Sequence, residues 1–180
     1  MATVAERYGR PSIILHWVTL ALLIGVYACI ELREMYPRGS ELREALKAWH
    51  FMLGLTVFML VWVRIMARLM GRTPPIVPAA AKWQLVTATL VELALYGLMI
   101  LLPILGWVTL SAEGKPIPFF AAQLPALVGE SEQLAQRTEE LHVTLATIGY
   151  FLIGLHAVAA LFHHYVQRDN TLTRMKLSRR

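Results

Sequence analysis

The sequence predicts an all-α integral membrane protein, a four-helix bundle with both termini on the cytoplasmic side. Of its 180 residues, 57% are hydrophobic and only 16% are charged, which is too apolar for an ordinary soluble domain. The apolar residues gather into four long runs, and a run of about 20 is what an α-helix needs to cross the hydrocarbon of a bilayer. The charges between the runs are sorted by sign from one side to the other, as topology signals are.

The first helix covers about 11–31. Residues 11–30 carry no charge and end in Ile30-Glu31-Leu32-Arg33, with no small-x-small cleavage site, so the run reads as a retained helix and not as a signal core. The second helix covers about 47–67, with Arg64 near its end. The third covers about 84–110 and is interrupted by Glu92 and Pro103. The fourth covers about 139–166 and holds four of the six histidines. Thr73-Pro74-Pro75-Ile76-Val77-Pro78 is a stiff connector. The longer loop 111–138 carries Pro116, Pro118, Phe119, Phe120 and Pro125, and Ser131 is placed to cap a helical extension of the fourth helix. The period is helical throughout, with no strand expected. Trp17, Trp49, Trp83 and Trp107 fall near helix ends, as interfacial anchors do. Little chain remains outside the helices, so residues 1–180 read as one transmembrane domain.

Orientation follows from the loops. One side carries Arg7, Arg10, Arg64, Arg68, Arg72, Lys82, Arg168, Arg174, Lys176, Arg179 and Arg180 against Glu6 and Asp169. The other carries six basic and nine acidic residues. Basic segments stay in the cytoplasm, which places both termini on the cytoplasmic side of the membrane. The net charge of +5 is a topology signal, and nothing supports nucleic-acid binding; the lipid bilayer is the partner. The lone Cys29 leaves no intrachain disulfide, and without a Cys-x-x-Cys-His there is no covalent haem attachment.

Histidines inside membrane spans call for a reason. His16 lies 14 residues from Ile30 and His156 lies 15 from Leu141, depths of roughly 21 and 22 Å at the helical rise. His50 and His142 match in the same way near the outer surface. His142 and His156 are 14 residues apart, about 40° around the helix, and so share one face. The fourth helix therefore offers one ligand to an outer site, completed by His50, and one to an inner site, completed by His16. A single metal ion asks for three or four converging ligands. Ligands in twos from opposing helices suit a planar macrocycle, so two b-type haems per chain are expected, with His16, His50, His142 and His156 on the irons. Filled axial positions favour electron transfer over oxygen chemistry.

Gly54 and Gly149 fall on the ligand-bearing faces, where a missing side chain suits either a flat cofactor or close helix packing. Arg64 follows His50 by 14 residues; it either pairs with a haem propionate or snorkels to the surface. His163, seven residues beyond His156, and Glu92 lie on the cytoplasmic side of the inner site. They suit proton exchange with a quinone, and the alternative for Glu92 is a neutral carboxyl inside the bundle.

These residues resemble the bacterial cytochrome b561 family. The resemblance runs through Ile14-Leu15-His16-Trp17, His50 with Gly54, the 73–78 connector and Pro103-Ile104-Leu105-Gly106. It continues through His142-Val143-Thr144-Leu145-Ala146-Thr147-Ile148-Gly149-Tyr150, Gly154-Leu155-His156-Ala157 and His163-His164-Tyr165, and closes on Asp169-Asn170-Thr171-Leu172 and Arg174-Met175. Within the family the chain is similar to the stand-alone members that take electrons from superoxide at the periplasmic face and pass them to ubiquinone. The resemblance implies that activity, an oxidoreductase with haem b as cofactor and superoxide and ubiquinone as substrates. The third helix has no histidine and so supplies no imidazole ligand. The alternative is a haem-b anchor relaying electrons between quinone and a partner dehydrogenase or hydrogenase; a stable protein partner is required only by that second reading. A weaker third reading is a metal-ion transporter with a histidine relay. Basic residues in the outer loops, Arg33, Arg38, Arg43 and Lys47 with Lys115 and Arg137, offer local attraction for a small anion if they cluster near the haem edge.

Overall fold

The computed structural model describes residues 7–177. Four helices dominate: α1 (Arg10–Leu32), α2 (Glu41–Met70), α3 (Lys82–Ala112) and α4 (Glu132–Tyr165). All four are long and apolar enough to cross a membrane. At 34 residues, α4 is roughly 51 Å long, so its ends project beyond a hydrocarbon core of about 30 Å.

The helices start where local chemistry sets them. Pro11 stands in the first turn of α1, where its missing N–H costs nothing. Ser40 Oγ accepts from Arg43 N–H and opens α2. Ser131 Oγ accepts from Leu134 N–H and opens α4, the extension expected from the sequence. In consequence α2 and α4 begin well before the apolar runs at 47 and 139: their first turns are polar helix, invisible to an apolar count. Pro103 lies inside a continuous α3; neither it nor Glu92 breaks the helix, because one lost ladder bond is tolerated where neighbours enclose the backbone.

The expectation of no strand is corrected. Ile117–Phe119 (β1) and Ala122–Leu124 (β2) form an antiparallel hairpin, with Phe120 in the left-handed region at φ 53°. Ile117 packs into a cluster with Leu55 and Leu110, walled by Phe51, Trp107, Phe119 and Leu124, which fastens the hairpin to α2 and α3. Three-residue strands are too short to leave a period-2 signal.

Packing divides the bundle into two helix pairs. α1 runs along α2 and α3 along α4, with a narrower α2–α3 seam built on Val57, Val61 and Met99. Between the pairs lies a cavity of about 1820 Å³. Ordinary ligand pockets hold roughly 300–1,000 Å³, so this one has room for two large cofactors. Outward-facing Ile24, Leu90, Leu93 and Phe151 are all more than half exposed, as lipid-facing side chains are.

The end of the bundle that carries both termini is closed by residues 169–175. Asn170 Nδ2 donates to the Pro75 carbonyl and Asn170 Oδ1 accepts from Val77 N–H. Trp17 Nε1 donates to the Met175 carbonyl at 3.0 Å. The connector lies outside helix and sheet, so the carbonyls of Pro74 and Pro75 are free to receive the returning chain.

Candidate functional site

The structure brings the histidines together as two pairs in the cavity. His50 on α2 faces His142 on α4, and His16 on α1 faces His156 on α4. Ring centres are 6.2 Å apart in each pair. An imidazole–metal bond is about 2 Å and a ring nitrogen lies about 1.1 Å from its ring centre, so two rings on opposite sides of one iron stand about 6.2 Å apart. Both pairs have that spacing. Among the described residues no three His, Cys, Asp or Glu side chains converge on one point, as a bare ion would ask.

Backbone groups set the tautomer at the hairpin end. His50 Nδ1 lies 3.0 Å from the Val26 carbonyl. Only a protonated Nδ1 can donate there, which leaves the Nε2 lone pair for a metal. His142 Nδ1 is buried without a hydrogen-bond partner. Gly106 on α3 faces this ring, and a Cβ there would make ordinary contact with it at 3.5 Å. His50 is nine residues into α2 and His142 ten into α4, so the depth match survives the longer helices.

The other end is organised by charge. Arg64 Nη2 stands 3.4 Å from His16 Nδ1, and its guanidinium lies over the Tyr96 ring. A guanidinium only donates, so here His16 Nδ1 accepts. For His16 Nε2 to bind iron, Nδ1 must take the proton and Arg64 must turn to another acceptor. Arg68 pairs with Glu92 at 3.4 Å and also donates to Thr73. His163 Nδ1 meets Asp169 Oδ2 at 2.5 Å. Burial pushes the Asp169 carboxyl up, but hydrogen bonds from His163 and Thr171 outweigh it and hold the group below the ordinary carboxylate range.

The two glycines behave differently. At Gly54 a Cβ would meet nothing within 4 Å, so that face of α2 borders open space. At Gly149 a Cβ would strike Tyr27 Oη at 2.6 Å; its missing side chain makes room for Tyr27, which donates to the Ala146 carbonyl. Tyr27 stacks obliquely on Tyr150 with ring centres 4.2 Å apart. This α1–α4 contact falls between His142 and His156 along α4. Asp169, Arg68 and Arg174 are site residues that sequence reading did not single out; the Asp169-Asn170-Thr171-Leu172 and Arg174-Met175 motifs were the signal available.

The prokaryotic cytochrome b561 profile matches residues 7–177. The chain belongs to the prokaryotic cytochrome b561 family. It is 37% identical to cytochrome b561 homolog 1 of Escherichia coli (strain K12), over 94% of this chain and 97% of that one. It is also 37% identical to the probable superoxide oxidase CybB of Yersinia pestis, over 97% and 98%. Cytochrome b562 of Cereibacter sphaeroides is 31% identical over 93% of this chain and 94% of its own length. This cytochrome b561 is thus a multi-pass protein of the bacterial inner membrane and one of a family of b-type electron-transfer proteins. The cavity and its two histidine pairs fit that cofactor class.

Proposed function

We propose that this cytochrome b561, read as one domain, moves electrons across the inner membrane, oxidising superoxide at the periplasmic face and reducing ubiquinone. The observation that supports this most is the pair of 6.2 Å histidine gaps. Set 14 residues apart on α4, they are roughly 21 Å apart along the membrane normal. When bound, haem would supply a one-electron couple. His50 and His142 would hold one group at the hairpin end, and His16 and His156 the second at the termini end. Each superoxide gives up one electron and leaves as dioxygen. Two such electrons and two protons convert one ubiquinone to ubiquinol. His163 and Glu92, which line the cavity at the termini end, are the groups placed to pass protons. The charge sorting puts that end in the cytoplasm. The likeness to the Yersinia pestis protein favours superoxide as donor.

The structure tempers electrostatic attraction at the periplasmic mouth. Arg33 and Arg43 pair with Glu34, Lys47 with Glu44, and Lys115 with Glu113. Arg43 is further occupied by the Arg33 and Tyr36 carbonyls. Four of the six outer cations are thus engaged by three carboxylates, which weakens their pull on a distant anion, so encounter with superoxide should depend only modestly on ionic strength. Stopped-flow mixing of enzymatically generated superoxide with the oxidised protein tests the proposal: haem reduction should be fast, vary little with salt, and reverse on adding ubiquinone. If superoxide leaves the haems oxidised, electrons enter from a protein partner instead, which should then co-purify.

A further inference from the structure

Arg174 has no role in the electron path described above, yet it is the most deeply placed arginine of the described residues. It sits on the returning segment 169–175, is only 6% exposed, and lines the same cavity as His16, His156, Arg64 and Arg68. Its Nη1 donates to the Pro74 carbonyl and its guanidinium lies over the Tyr8 ring. Its Nε is buried with no hydrogen-bond partner. A buried guanidinium left with one carbonyl and one aromatic face is costly unless an anion joins it.

Charge counting around it points the same way. Three guanidiniums, Arg64, Arg68 and Arg174, line this end of the cavity. Glu92 answers Arg68, and Asp169 is held by His163 and Thr171. Among the described residues Arg64 and Arg174 have no carboxylate. Arg64 must in any case release His16 Nδ1 before His16 can bind iron through Nε2. Two guanidiniums therefore await planar, two-oxygen acceptors, the partners that bidentate arginines match best.

We propose that Arg174, together with Arg64, binds the two propionate carboxylates of the haem held by His16 and His156. The returning segment is thus part of the haem site and not only a clip over the helix ends. This rests on reading that histidine pair as a haem site.

The test is a redox titration of the purified holoprotein in detergent, resolving both haems, for the wild type and four variants. Arg174→Gln keeps a polar amide of similar stem while removing the charge. It should shift the midpoint potential of the His16–His156 haem downward, because a cation near the iron favours the reduced form, and leave the His50–His142 haem unchanged. Arg64→Gln should shift the same haem in the same direction. Arg174→Lys should restore most of the potential. Asn170→Ala, which loosens the segment without altering charge, should leave both potentials in place. Two haems bound with neither potential moved by Arg174→Gln would overturn the proposal. So would an equal shift from Asn170→Ala, which would make the effect one of segment closure. Loss of a co-purifying anionic phospholipid from Arg174→Gln with potentials unmoved would assign the arginine to a lipid phosphate and equally overturn it. If Arg174→Gln fails to fold, the Arg64→Gln and Arg174→Lys potentials decide, and no shift in Arg64→Gln refutes the shared site. A wild type with no haem between His16 and His156 would defeat the site reading itself, a result distinct from unmoved potentials in a two-haem protein.

Discussion

The two histidine pairs have the same 6.2 Å gap but reach it by different means. At the hairpin end the backbone does the positioning. The Val26 carbonyl fixes the His50 tautomer, the His142 ring rests beside Gly106, and four of the nearby cations are engaged by three carboxylates in short-range pairs. At the termini end charge does it. A guanidinium faces His16, a second is tied to Glu92, and a third is buried on the C-terminal segment. The hairpin end thus carries more acids than bases, and the His50 ring is oriented by backbone alone. The termini end carries excess positive charge and needs an anion to be complete. A pocket with excess guanidinium suits an anionic cofactor. On the function proposed above, that difference would favour electron flow from the hairpin end toward the termini.

Ligand replacement should separate the ends most sharply. His50→Ala or His142→Ala should remove or make high-spin the hairpin-end haem alone, and His16→Ala or His156→Ala the other. His163→Ala should leave both irons low-spin, because Asp169 and not a metal is its partner. Absorption and paramagnetic resonance spectra check this, and a high-spin haem from His163→Ala with none from His156→Ala would reverse the pairing.

The contact between the two sites comes next. Gly149→Ala drives a methyl against Tyr27 Oη and should destabilise the bundle by about 1–3 kcal/mol, as overpacking does. Gly54→Ala meets open space and should change stability by less than about 0.5 kcal/mol, while altering the spectrum of the hairpin-end haem. Equal thermal shifts from the two substitutions would show that both glycines serve packing alone.

A smaller effect is expected at the closing segment. Asp169→Asn should weaken it by about 1–2 kcal/mol through the lost charged hydrogen bonds. Because the folded Asp169 carboxyl is held below its ordinary value, its contribution is fully present above about pH 3.9. It is lost as pH falls through the lower folded value. Trp17 emission reports the segment, since its indole donates to the Met175 carbonyl. That emission should hold steady from neutral pH down to about 4; a transition near pH 6 would contradict the assignment.

Much of this was legible in the sequence, for identifiable reasons. Apolar runs gave four spans, and equal depths paired His16 with His156 and His50 with His142, because a helix converts residue count directly into depth. Helix starts at Glu41 and Glu132 were less visible, since their first turns are polar and lie outside the apolar window. The hairpin at Ile117–Phe119 was missed because three residues carry no period. The His163–Asp169 and Arg68–Glu92 pairs lay out of reach for different reasons. The first depends on how the chain turns after α4, and the second on which face of α3 meets α2. The closing segment joins residues about a hundred positions apart in the chain, a relation that local pattern does not contain.

The central claim is two haems between two histidine pairs. It is tested most directly by haem quantitation on the purified protein, a pyridine haemochrome assay against protein concentration with a low-temperature spin-state spectrum on the same sample. The account predicts two non-covalent b-type haems per chain, both low-spin. One haem per chain, none, or a high-spin iron in the intact protein would contradict it.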